Sequence, residues 1–235
     1  MAALVDRRRQ VVTLAVASLV AICAQGALGG LRVLENSQDL AFLHGSFAQA
    51  VFALLATNLV VTSRAWGELD AGAGARTGAA RRWSWVAAIV VYVQIVLGAW
   101  LRHSGAMVPF FLHLVFVVGV IVAVAVAARQ LGLAHAEGAG RGLHLAPLAR
   151  ARRRLLALLG AQLVLGALTT LAVLVLSGGF LGRVSTAEMV FATAHVLVGA
   201  LLLSQCVAAA LWSQRLAAVE GRSSPSASPS LGGVR

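Results

Sequence analysis

Residues 94–113 read QIVLGAWLRHSGAMVPFFLH, and this stretch decides how the chain is built. A Gln-x-x-Leu-Gly motif closes one apolar run. A short turn follows with Arg102 and His103, and His113 opens the next apolar run. The pattern recurs on both sides. Gln25-Gly-Ala-Leu28-Gly29 is followed by His44 after 19 residues, the spacing that separates Gln94 from His113. Gln162-Leu-Val-Leu165-Gly166 is followed by His195 after 33 residues, across a longer loop. An internal repeat says more about architecture than any single motif. The expected unit is a helical hairpin with one histidine near the start of its second helix. Three such hairpins make an all-α, polytopic membrane bundle of six transmembrane helices.

Composition points the same way. The 235 residues are 60% hydrophobic and 11% charged, which suits a membrane protein and not a soluble domain. The net charge is +11, carried by arginine alone. Arginines in so apolar a chain are expected at the cytoplasmic face of membrane helices. No basic groove with interleaved aromatics is present, so nucleic acid is not an expected partner. Cys23 and Cys206 both lie inside apolar runs and read as free, membrane-buried thiols.

Taken in order, residues 1–10 form a cytoplasmic N-terminus and 11–212 the transmembrane domain. Residues 213–235 form a tail whose Ser, Pro and Gly predict disorder. Apolar runs are expected at about 11–31, 40–62, 84–101, 108–128, 155–176 and 187–212, each long enough for a hydrocarbon core of about 30 Å. The first run lacks a cleavage pattern and belongs to the repeat. The segments 63–83 and 129–154 read as loops. Sixteen of the nineteen arginines fall in the N-terminus, these two loops and the tail; Arg32, Arg102 and Arg183 occupy the other three loops. That bias predicts a multi-pass protein of the cell inner (plasma) membrane with both termini cytoplasmic. His44, His113 and His195 would then share one depth near the outer leaflet.

Three imidazoles at one depth admit two readings from the residues alone. They are satisfied packing residues, or they mark function, as polar groups in a bilayer commonly do. Zinc is the weaker option, because no second ligand lies three or four residues from any of them. Imidazoles from two different helices suit the two axial positions of a haem iron. The glycines around them let a flat macrocycle approach, or serve plain helix packing. Gln25, Gln94 and Gln162 are buried amides that bond across helices or face a cofactor edge. Arg32 and Arg102 sit at the outer boundary, either pairing with haem propionates or solvated among headgroups. His135 and His144 read as solvated, and His103 as lying near the mouth of a site.

QGALGGLRVLENSQDLAFLHG, QIVLGAWLRHSG with FFLH, and QLVLGALTTLAVL with ATAH resemble the haem A synthase family of cytochrome oxidase assembly. The resemblance spans about residues 10–212. It implies that His113 and His195 bind a haem b cofactor, with Arg102, Gln94 and Gln162 beside it. It implies that His44, with Gln25 and Arg32, contributes to a site for haem o as substrate. The three histidines would be the iron ligands, and the activity would be oxidation of the haem o methyl to the formyl of haem a.

The chain departs from the family in one respect. The family's first hairpin has no counterpart, and with it go a histidine, a glutamate three residues before that histidine, and a cysteine pair. The residues three before His44, His113 and His195 are Ala41, Phe110 and Ala192. Two functions follow as expectations. One is a haem A synthase-like oxidoreductase; the other is a non-catalytic haem b-binding membrane protein for electron transfer or oxidase assembly. Membrane lipid and haem are the expected partners, with a partner chain or homo-oligomer completing the absent hairpin.

Overall fold

The computed structural model describes residues 9–68, 76–143, 145–176 and 184–217, and these fold as an all-helical bundle. Six helices are long and apolar enough to cross a membrane. They are α1 (Arg9–Leu34), α2 (Gln38–Thr62), α4 (Gly78–Ser104), α5 (Met107–Ala139), α6 (Ala146–Leu171) and α7 (Thr186–Ala217), with a short α3 (Arg64–Glu68) after α2. The shortest, with 25 residues, spans about 38 Å at 1.5 Å per residue, more than the hydrocarbon core requires. Arg7, Arg8, His144, Arg183 and the tail beyond Ala217 lie outside the described residues.

Local chemistry sets the helix ends. The Ser37 hydroxyl accepts from the Leu40 N–H at 3.2 Å and starts α2, with Asp39 in its first turn. Gly105 closes α4 in the left-handed region at φ 60°, where a side chain would be strained. Pro147 opens α6, where its missing N–H costs nothing. The last turn of that rod, Ala172–Leu176, has π-helical bonding.

Several ends differ from the sequence expectation. The segment 129–154, read as a long loop, is helical except around 140–145, because α5 runs on to Ala139 and α6 begins at Ala146. The segment 63–83 contains α3 and the first turn of α4. The last helix continues past Trp212 to Ala217. Hydropathy marks where a helix leaves the apolar phase, not where its backbone bonding stops. His135, expected to be solvated, is half-buried, and its Nδ1–H donates to the Leu145 carbonyl at 3.2 Å, tying α5 to the start of α6.

Helices α4, α5, α6 and α7 pack in sequence around a closed four-helix bundle, and α2 lies against α4 and α7. Helix α1 packs chiefly on α2. Half of the most apolar window of α7 is buried, against 11–22% for the other five, so α7 is the central helix. Cross-helix polar contacts hold the arrangement. Buried Thr77 donates to the Ser213 carbonyl at 2.6 Å, and Asn58 donates to Ser18 Oγ at 2.7 Å. The Tyr92 hydroxyl donates to the Ser46 carbonyl at 3.3 Å.

The bundle is tight at one end only. The buried residues of α4 all precede Gln94, those of α6 all precede Gln162, and those of α7 all follow His195. In α5 all but Pro109 follow His113. The tight end is lined by small residues, among them Ala87, Ala88, Ala127 and Ala209, that let backbones approach closely. The histidines stand at the other end, where side chains are half-buried and helices are less closely packed. Many large apolar side chains, such as Val115, Leu59 and Ile89, point outward, as contact with lipid requires. Both cysteines are free, but only Cys206 is buried; Cys23 is on the protein surface.

Ala87→Leu, at a fully buried contact, should destabilise the purified protein by about 1–3 kcal/mol through overpacking, while Val115→Leu on the outer face should leave it unchanged. Thermal denaturation of both variants in one detergent checks this.

Candidate functional site: a pair of facing imidazoles

Each glutamine–histidine pair noted in the sequence is a physical contact. The Gln25 amide donates to the His44 carbonyl at 2.9 Å and also lies 3.0 Å from the ring Nδ1. The Gln94 amide donates to the His113 carbonyl at 2.9 Å. The Gln162 amide nitrogen lies 3.2 Å from His195 Nε2. In an apolar helix pair each amide has few other partners, and an unmade bond there is costly.

The glycine of each motif completes the contact. A Cβ on Gly29, Gly98 or Gly166 would stand 2.9, 3.0 or 3.1 Å from Cε1 of His44, His113 or His195 respectively. All three imidazoles therefore lie flush against a neighbouring backbone that only glycine leaves open. The spacing of 33 residues in the last pair gives the same glycine–imidazole contact as the spacing of 19.

Two of the three imidazoles face each other. The His113 and His195 ring centroids are 6.4 Å apart, with 69° between planes. Among the described residues, Nδ1 of both rings is buried without a hydrogen-bond partner, as is Oε1 of Gln25, Gln94 and Gln162. Buried polar atoms are rarely left so, and a cluster of them calls for an explanation. His44 makes no ring contact with the other two among the described residues and packs instead on Gln25 and Gly29 of α1.

Imidazole nitrogens bind a metal at about 2 Å, so two rings on opposite sides of one ion would have centroids about 6 Å apart. No group of three or more His, Cys, Asp or Glu is placed to hold a metal among the described residues. Two imidazoles suffice only when the remaining ligands come from elsewhere, as in a haem, whose macrocycle supplies four nitrogens. The Gln162 amide can also be turned over without changing its shape. Its oxygen then accepts from His195 Nε2–H, while Nδ1 stays buried on the Gly166 side of the ring.

Arg102 is exposed and Arg32 half-buried, and the charges of both bear on the His103 ring. His103 Nε2 lies 3.8 Å from where a Cβ of Gly45 would be, so its ring reaches α2 beside His44. Sequence spacing offered no signal for that contact, because it joins residues of different hairpins. Compared with protein-family models, curated proteins and solved structures, the chain matches none.

Gly98→Val should displace the His113 ring and lower stability by about 1–3 kcal/mol, whereas Gly119→Val, with open space around it, should be neutral. Chemical denaturation with both variants in parallel reads the difference.

Proposed function

We propose that this chain is a haem-binding membrane protein in which His113 and His195 ligate one haem b, and that it works as a haem A synthase-like oxidoreductase. The observation that carries the haem reading is the facing pair of imidazoles, 6.4 Å apart, each with a buried, unpartnered Nδ1. A haem bound there supplies a one-electron iron couple. The chain's own residues do the rest. The two imidazoles would hold the iron from two different helices. Gly98 and Gly166 let the rings lie close to the neighbouring helices. Gln94 bonds the backbone beside one ligand, and Gln162 bonds the ring of the other.

The oxidoreductase reading rests on the resemblance and on His44. His44 repeats the amide and glycine contacts of His113 away from the facing pair, which suits a ligand for a second haem such as haem o. In this reading the histidine end holds the substrate haem; the methyl-to-formyl change removes four electrons and takes up one oxygen atom, with the acceptor and the oxygen supplied from outside the chain. The arginine bias supports an outward-facing histidine end, cytoplasmic termini and a place in the cell inner membrane.

A second reading, a non-catalytic haem b protein for electron transfer or oxidase assembly, is favoured by the residues three positions before each histidine. Ala41, Phe110 and Ala192 bring no carboxylate to handle protons at a reacting methyl. Under the oxidoreductase reading, a partner chain or second copy would have to supply that group.

Expression with a haem o supply, followed by pigment extraction, separates the two. Haem a that disappears in His44→Ala supports the oxidoreductase; haem b alone, unchanged by His44→Ala, supports the second reading. In either case His113→Ala and His195→Ala should each abolish or strongly reduce bound haem b, and His135→Ala should not. A double variant with the wild-type Soret and α bands would overturn the ligand assignment. For orientation, a reporter fused after Arg235 should be active only on the cytoplasmic side.

A further inference from the structure

The two facing histidines are held by their glutamines in different ways. The Gln94 amide donates to the His113 backbone carbonyl at 2.9 Å and, among the described residues, makes no hydrogen bond to the ring. The Gln162 amide nitrogen lies 3.2 Å from His195 Nε2 and, among the described residues, bonds no carbonyl. At His44 the Gln25 amide does both, with the carbonyl at 2.9 Å and the ring Nδ1 at 3.0 Å.

The residue four positions after each histidine separates the cases. It is Ala48 after His44, Val117 after His113 and Gly199 after His195. A Cβ on Gly199 would stand 3.2 Å from the Gln162 amide nitrogen and 3.8 Å from its Cδ. The amide therefore rests on the α7 backbone about one turn beyond His195, at a position where α5 carries the side chain of Val117. Nδ1 of His195 is buried, 3.5 Å from where a Cβ of Gly166 would be. Nε2 is thus the nitrogen that can meet an iron, and Gln162 already holds it. Both hydrogen-bonding states keep the contact. The amide N–H donates to an unprotonated Nε2, or the turned-over amide oxygen accepts from Nε2–H. In an apolar phase that bond competes with an iron–nitrogen bond for one atom, and His113 has no such competitor.

We propose that Gln162 is a reversible cap on His195 Nε2, which makes His113 the standing ligand of the iron and His195 the exchangeable one. The proposal rests on the reading of His113 and His195 as a haem pair. When His195 leaves the iron, the Gln162 amide receives it. The released state is thereby stabilised, and a small neutral molecule can take the sixth position. Gln162 is a positioning residue, since it acts on the iron only through His195.

The test uses the full purified chain with its bound haem, reduced with dithionite and titrated with carbon monoxide while the Soret shift is followed. The wild-type chain should bind carbon monoxide. In Gln162→Leu a released His195 has no partner and returns to the iron. The affinity for carbon monoxide should then fall about fivefold, equivalent to about 1 kcal/mol for one hydrogen bond. Gly199→Ala, which crowds the amide, should do the same to a smaller extent. Tyr92→Phe, which removes a cross-helix bond to the Ser46 carbonyl, should leave the affinity unchanged. A rise in affinity in Gln162→Leu would mean that the amide keeps His195 on the iron, and would overturn the proposal. So would an unchanged affinity, an equal fall in Tyr92→Phe, or a wild-type chain that binds no carbon monoxide at saturation. A haem-loaded chain giving any of these results still keeps the His113 and His195 assignment, which is read from its low-spin bands. A chain with no Soret band overturns both.

Discussion

The contact between a glutamine amide, a histidine and a glycine on adjacent helices is the constraint on which the histidine end of this bundle depends. In an apolar phase an amide and an imidazole are each expensive alone. Together, with a backbone carbonyl available, each meets part of the other's demand. The glycine makes this possible, because a methyl group at Gly29, Gly98 or Gly166 would press into the ring at about 3 Å. Part of the demand is left in the unpartnered Oε1 atoms of the three glutamines and Nδ1 of His113 and His195.

The rest of the bundle is arranged to hold these contacts. At the end away from the histidines, alanines and leucines of α4 to α7 pack to near-complete burial and fix the helix positions. At the histidine end the same helices are less tightly packed, and their inward groups are polar. Tight apolar packing at one end thus leaves the glutamine–histidine contacts to join the helices of each pair at the other. Helix α7 is the pivot: it carries His195, and it packs against α2, α4 and α6.

Much of this is legible in the sequence. Six apolar runs and the matched Gln-to-His spacings contain the helix count and the contacts Gln25–His44, Gln94–His113 and Gln162–His195, because hairpin partners lie close in sequence. Helix ends were harder to read: α5 crosses out of the apolar phase and continues through His135 to Ala139 on backbone bonding that hydropathy does not see. Contacts between hairpins were not legible from spacing. The facing of His113 and His195 was reached through a family resemblance, and the approach of His103 to Gly45 had no signal at all. Both depend on how separate hairpins dock, which is decided by the small-residue packing at the far end of the bundle.

The central claim is that His113 and His195 serve one iron together. Electron paramagnetic resonance of the purified, oxidised chain tests it most directly, because the spin state reports the axial ligands. The account predicts a low-spin ferric signal of the bis-imidazole type in the wild-type chain. In His113→Gly and in His195→Gly that signal should be lost, and added imidazole should restore it in both. A low-spin signal that persists unchanged in either variant without added imidazole would contradict it.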